Sequence, residues 1–316
     1  MSVTGARAEA ADDFRVVPQL ADLMRLSRAA ARLPSWNRSV RARTGGAYLS
    51  SIRGRGMEYD ESRLYQPGDD VRTLDWRVTA RTGKPHTKLF REERERPVFV
   101  MTDFRAPMFF GSRVAFKAVV AARAASLLIW KAQQNSDRVG ALVFGGDAHG
   151  ELEPRRGRTA ALRAIKLLSE HGQRCSELAA GPQPGPGESL NGPFARLRRL
   201  ARPGSLVFML SDFRGLDDLA AAHFTEVARH CDVFALLVHD PLETHLPDRP
   251  GDFRVTDGAR TLRLDTADRE VAGAYQSGFE QRAAQVERLC ANHRAAFRRL
   301  ATSDDPFNVL YQLLGG

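Results

Sequence analysis

From Pro97 onward the chain alternates short apolar runs with helical patterns, and this alternation constrains the fold more than any other feature. Residues 98–102, 139–144, 206–210 and 233–239 read as buried strands: short apolar runs bounded by turn signals or charge. Residues 113–134, 159–169 and 216–230 carry helical patterns between them, the second opened by Thr159 as a cap, and residues 194–202 form a basic amphipathic helix. Strands separated by helices predict a mainly parallel sheet covered on both faces. Residues 253–256 and 260–264 flank Asp257-Gly258, a hairpin signal, and residues 270–300 read as one long helix. Upstream, residues 17–33 form an amphipathic helix that Pro34 ends, and the Gly/Pro-rich run 181–187 can only be a loop.

A different texture fills residues 38–97, where 14 Arg or Lys meet nine Asp or Glu. Its centre runs Arg63-Leu-Tyr65-Gln-Pro67-Gly68-Asp69-Asp70-Val-Arg72-Thr-Leu-Asp75-Trp76-Arg77-Val-Thr-Ala-Arg81-Thr82. No helix or strand period passes through it. Pro67-Gly68 fixes a tight reversal, and Asp69 and Asp70 stand where they would cap a short helical turn. Arg72 and Asp75 are three apart, close enough to pair if that turn forms. Arg72, Asp75 and Arg81 are expected in ion pairs, and Trp76 packed against the sheet domain.

This run resembles the signature of the domain-of-unknown-function 58 family, proteins associated with MoxR-type AAA+ ATPases. An arginine, an aromatic, Pro-Gly-Asp-Asp, Arg, Asp-Trp and Ala-Arg-Thr follow in that order and spacing. Ser211-Asp212-Phe213 after a strand, Asp240-Pro241-Leu-Glu243, and Leu246-Pro247 look like later landmarks, so the resemblance covers about residues 45–290. Rossmann-type and von Willebrand factor A-type folds both satisfy the alternation, and the resemblance implies the second. It divides the chain into an N-terminal extension (1–37), the signature region (38–97), a von Willebrand factor A-like domain (98–300) and a C-terminal tail (301–316).

Von Willebrand A domains hold a metal-ion-dependent adhesion site at the carboxyl ends of their strands, where open parallel sheets bind ligands. Its ligands are Asp-x-Ser-x-Ser after the first strand, a Thr from a later loop and an Asp after the fourth strand, hard oxygens suited to Mg²⁺ or Mn²⁺. This chain reads Asp103-Phe104-Arg105-Ala106-Pro107, keeping the Asp and losing both serines; Thr159 matches the loop Thr and Asp212 the last Asp. Two strand ends repeat one pattern, Asp103-Phe-Arg105 and Asp212-Phe-Arg214. Two neighbouring buried carboxylates repel and demand a cation. Arg105, with Arg214, supplies it in place of a metal, so the site is expected to be degenerate and metal-free. A metal held by Asp103, Thr159 and Asp212, and arginines turned to solvent, are the open alternatives.

The remaining features exclude more than they identify. The net charge is +9, and only five of the 47 cationic residues are Lys. An Arg-rich surface suits carboxylate or phosphate partners, and base composition produces the same bias. Cys175, Cys231 and Cys290 lie far apart with no metal-ligand spacing, pointing to free thiols and a reducing compartment. The first 13 residues lack the apolar core of a signal peptide, and the apolar run 115–130 is too short and too charged for a membrane span, so a cytoplasmic location is expected. His239 and His245 flank Asp240 and Glu243 but read as a solvated loop. No P-loop, Gly-x-Ser-x-Gly or dinucleotide fingerprint is present.

The expected function is a non-enzymatic, cofactor-free adaptor acting with a MoxR-type AAA+ ATPase on a client protein. The signature residues Arg63, Tyr65, Pro67, Gly68, Asp69, Asp70, Arg72, Asp75, Trp76, Arg77 and Arg81 would face the partner. A divalent-metal-dependent adhesion domain and an Arg-rich nucleic-acid-binding protein are the alternatives, the latter without a recognised binding motif.

Overall fold

The computed structural model describes residues 14–36, 57–67, 69–92, 96–146, 148–179, 189–245, 252–256, 261–265 and 269–315. Residues 1–39 and 96–316 group into one compact unit and residues 40–95 into a second.

The larger unit begins with two short helices, α1 (Leu20–Arg25) and α2 (Ser27–Ala30), where the sequence predicts one. The smaller unit follows, with β1 (Met57–Leu64), α3 (Trp76–Thr82) and β2 (His86–Glu92). Its strands pair antiparallel, with a register shift between Tyr59 and Glu61.

The chain then re-enters the larger unit as β3 (Pro97–Asp103), α4 (Lys117–Gln134), β4 (Arg138–Gly145), β5 (Ala148–Arg155), α5 (Arg158–Ala179) and α6 (Asn191–Leu200). It continues through β6 (Leu206–Ser211), α7 (Asp218–His230), β7 (Asp232–His239), α8 (Pro241–Thr244), the antiparallel pair β8 (Asp252–Thr256) and β9 (Thr261–Asp265), α9 (Arg269–Asn292), β10 (Ala296–Ala301) and α10 (Pro306–Leu313). Six strands form the central sheet in the order β10-β7-β6-β3-β4-β5. All neighbours run parallel except β5, which returns antiparallel to β4 at the edge.

The mixed α/β architecture with a mostly parallel sheet follows from the apolar runs. Central strands β3 and β6 are buried along nearly their whole length, as strands covered on both faces must be. Helix α4 is buried from Lys117 to Ala132, except at Arg123, because it lies between the sheet and the N-terminal helices. Ser126 Oγ and Trp130 Nε1 both donate to the Leu23 carbonyl, at 2.7 and 3.2 Å, and Arg123 pairs with Asp22. Trp36 is fully buried, 5.9 Å from the Phe208 ring. The described part of the N-terminal extension, residues 14–36, therefore contributes to the larger unit's core.

Three departures from the sequence reading have physical causes. Strand β5 carries Glu151, Glu153 and Pro154 on an edge, where charge and proline guard against further pairing, so it shows no apolar signature. The helix expected over 270–300 ends at Asn292: Arg294 takes a left-handed φ of 56°, and the chain resumes as edge strand β10 beside β7. The expected tail holds α10, capped by the Asp305 carboxylate on Phe307 N and anchored by buried Leu310.

Candidate functional site: a self-neutralised crevice at the strand ends

Strands β3 and β6 are hydrogen-bonded neighbours, with Thr102 in register with Leu210, so Asp103 and Asp212 leave the sheet side by side. Both are buried. Beyond Asp103, Gly145 at the end of β4 has φ 155°, and a Cβ there would stand 2.2 Å from the Phe104 carbonyl oxygen. That close approach, with Phe104 N donating to the Phe144 carbonyl at 2.7 Å, turns the chain so that Arg105 folds back over Asp103. On the second strand, Phe213 adopts φ 53°, a left-handed conformation costly for a non-glycine residue, and this redirects Arg214 toward the same place.

The resulting contacts are dense. Arg105 Nε lies 3.0 Å from Asp103 Oδ1 and its Nη2 2.6 Å from Oδ2, a two-pronged charge-assisted pair. The same Nη2 reaches Asp212 Oδ1 at 3.4 Å, and Nη1 donates to the Arg214 carbonyl at 2.8 Å. Ser211 Oγ donates to Asp103 Oδ2 at 2.6 Å and accepts from Phe213 N. Arg214 Nη2 donates to Glu243 Oε1 at 2.9 Å.

Two members of this network escaped the sequence reading. Lys117 enters from α4, fully buried, with Nζ 3.2 Å from Asp212 Oδ2 and 3.0 Å from Glu243 Oε1. Glu243 comes from α8, where its Oε2 accepts from Asp240 N while Asp240 Oδ1 accepts from Leu242 N, a capping box. The expected solvated loop is wrong for these two residues: Asp240 and Glu243 are both buried. A signal for Lys117 existed. A lysine opening an otherwise apolar helix is buried only if a carboxylate meets it.

Three carboxylates, Asp103, Asp212 and Glu243, thus face three cations, Arg105, Lys117 and Arg214. Burial alone would raise the Asp212 carboxyl, but the charges of Lys117, Arg105 and Arg214 outweigh it and hold it far below the usual carboxylate range. Glu243 behaves alike: burial raises it, Lys117 and Arg214 lower it, and the net direction is down. Arg214 is held above its usual value despite burial because Asp212 and Glu243 face it.

Thr159 does not join the crevice. The antiparallel course of β5 pairs Arg155 with Val139, at the beginning of β4, so α5 starts at the amino ends of the parallel strands. Thr159 is exposed in the first turn of α5, past its start at Arg158, and does not cap it. Among the described residues no group of three or more His, Cys, Asp or Glu is arranged to hold a metal. The three cysteines are buried and not in disulfides, and burial pushes Cys231 up to about 11 and Cys290 up to about 12, which disfavours the thiolate at both.

In the smaller unit, the signature residues are used locally. Asp70 accepts from Arg72 N at 2.9 Å and caps the turn Val71–Thr73. Asp69 pairs with Arg63 at 2.7 Å and accepts from Gln66 N, closing the loop around Pro67, while Tyr65 N bonds the Pro85 carbonyl. Gly68 lies outside the described residues. Asp75 is buried, caps α3 through Arg77 N and Val78 N, and accepts from Ser62 Oγ at 2.8 Å. Its carboxylate is committed to these donors, so the expected Arg72–Asp75 pair does not form. Among the described residues neither Arg72 nor Arg81 makes an ion pair. Trp76 is 71% exposed rather than buried, and Arg72, Arg77 and Arg81 are exposed as well.

Comparison with known proteins decides the family. The model described as "Protein of unknown function DUF58" matches residues 61–285, the span from the signature through most of α9. The chain belongs to the DUF58 family. Uncharacterized proteins Rv1480 of Mycobacterium tuberculosis (strain ATCC 25618 / H37Rv) and Mb1516 of Mycobacterium bovis are each 34% identical to this DUF58 chain over 233 residues, 71% of it and 69% of each relative. A crystal structure of the conserved hypothetical protein BatB from Bacteroides thetaiotaomicron aligns with a TM-score of 0.46 at 16% identity, over 69% of this chain and 97% of that one. Among the described residues no helix is long and apolar enough to cross a membrane.

Proposed function

We propose that this DUF58 chain is a non-enzymatic adaptor that works with a MoxR-type AAA+ ATPase on a client protein. In this reading the larger unit is a von Willebrand factor A-like domain with a degenerate adhesion site, and the signature region is the partner-facing element. The observation that carries the proposal is the filled crevice. Where an adhesion domain would keep hydroxyl and carboxylate ligands open to a metal and its ligand, Arg105 and Lys117 neutralise the carboxylates from within. Such a crevice serves as a rigid core element and leaves recognition to the surface. The exposed residues Val71, Arg72, Trp76, Arg77 and Arg81 suit that role, since exposed Trp and Arg are the residue types that dominate binding hot spots.

The test is direct. A MoxR-type ATPase from the same cells is mixed with the purified chain, and complex formation is read by size exclusion alongside the ATPase rate. The adaptor reading expects a complex or a changed rate that Trp76→Ala weakens. No complex and an unchanged rate refute it.

A further inference from the structure

The crevice network balances three negative charges with three positive ones, yet a fourth cation borders it. Arg282 on α9 lies close enough to Asp212, Glu243 and Arg214 to feel all three charges, but among the described residues it makes no ion pair. Its Nε is buried without a hydrogen-bond partner. Its guanidinium lies 5.4 Å from the Phe279 ring centroid, which orients the group without neutralising it. Burial and the Arg214 charge together lower the Arg282 pKa despite the two carboxylates. Among the described residues this partly buried guanidinium has no ion-pair partner.

That guanidinium lines a cleft of about 860 Å³. One wall is a face of α9, where Gln281, Arg282, Gln285 and Arg288 recur at helical spacing. The other is the turn after β6, with Phe213, Leu216 and Asp217 among its residues. Gln285 Nε2 ties the walls together by donating to the Leu216 carbonyl at 3.2 Å. Asp217 does not compensate Arg282. Its Oδ1 accepts from Ala220 N at 2.7 Å as the cap of α7, and its Oδ2 accepts from Ser189 Oγ. The cleft therefore carries Arg282 and Arg288 with one carboxylate, and that carboxylate is already engaged.

We propose that this cleft is a receptor for a small oxyanion, a carboxylate or phosphate group, with Arg282 as its main anchor and Arg288 and Gln281 at its rim. A planar guanidinium whose Nε–H has no partner matches either group in two-pronged geometry. Binding supplies the missing negative charge beside an otherwise neutral network.

The experiment titrates inorganic phosphate and, separately, succinate against the melting temperature of the full chain, with sodium chloride matched for ionic strength. A saturable rise over chloride is expected with at least one anion, and the more effective one identifies the chemistry. In Arg282→Gln the midpoint should move about tenfold or more to higher concentration, the loss expected for one charge-assisted hydrogen bond. Arg282→Lys keeps the charge but not the fork and should fall between. Arg229→Gln, an exposed change elsewhere, should leave the titration unaltered. If Arg282→Gln melts too low to titrate, Arg282→Lys and calorimetric titration of the unmodified chain decide. Wild-type protein that responds to neither anion beyond chloride, or Arg282 variants that titrate like wild type, overturns the proposal.

Discussion

Lys117 offers the sharpest test of the crevice energetics. Its Nζ lies within 3.0–3.2 Å of two carboxylates, and its side chain is almost fully buried. At an effective dielectric of about 20, one such contact is worth about 5 kcal/mol of Coulomb energy. Desolvation of each ion offsets several kcal/mol of this, so the net value of the intact pair is small. Removing one partner is another matter. Lys117→Met leaves Asp212 and Glu243 ion-paired only with Arg105 and Arg214, and these paired groups then carry one excess negative charge, which the more distant Arg282 offsets only in part. Breaking a buried pair in this way costs about 3–5 kcal/mol. For a unit of this size that lowers the melting temperature by roughly 6 °C or more. Lys117→Met combined with Glu243→Gln restores neutrality and keeps an acceptor for Asp240 N. The double variant should therefore recover part of the loss, with a coupling of roughly 1–3 kcal/mol. The assay is urea unfolding at pH 7 of wild type, both single variants and the double. If Lys117→Met is as stable as wild type, or the two losses simply add, the crevice is not an electrostatically closed network.

Arg105→Ser removes the charge between Asp103 and Asp212 and restores a hydroxyl. It should lose about 3–5 kcal/mol in metal-free buffer and regain stability with millimolar Mg²⁺ or Mn²⁺, while wild-type melting stays unmoved by either ion. Trp76→Ala, at an exposed site, should change stability by no more than about 0.5 kcal/mol; a large loss would show that the ring is packed. Asp137 is buried against Trp36 Nε1 at 3.1 Å, and burial pushes its carboxyl up to about 6. A raised carboxyl favours the protonated fold, so its contribution is complete below about pH 4 and is lost as pH rises through 6. Asp137→Asn should remove a stability decline of up to about 3 kcal/mol between pH 4 and 7, read by chemical unfolding at each pH. Asp212 and Glu243 have lowered values, so their contribution is present above the ordinary carboxylate range and disappears on acidification below about pH 4.

The strand runs at 98–102 and 206–210 were legible because a strand buried on both faces must be apolar throughout, and their helices because periodicity survives in a single chain. The repeated Asp-Phe-Arg at two strand ends marked Asp103, Arg105, Asp212 and Arg214 as a set, since residues following parallel apolar strands emerge at the carboxyl ends of the sheet. Sequence could not say that β3 and β6 are neighbours, because strand order is settled by packing. Nor could it place Thr159, whose position depends on β5 turning back along β4; an exposed edge strand needs no apolar face and leaves no periodic trace. The break at Arg294 was hidden for a similar reason, since a left-handed residue and a partly exposed strand after a long helix resemble the helix continued. Lys117 and Glu243 lie 126 residues apart in sequence and 3.0 Å apart in space. Composition put charge into the chain, but only the fold chose which charges meet, because a buried ion persists only where tertiary structure delivers its opposite.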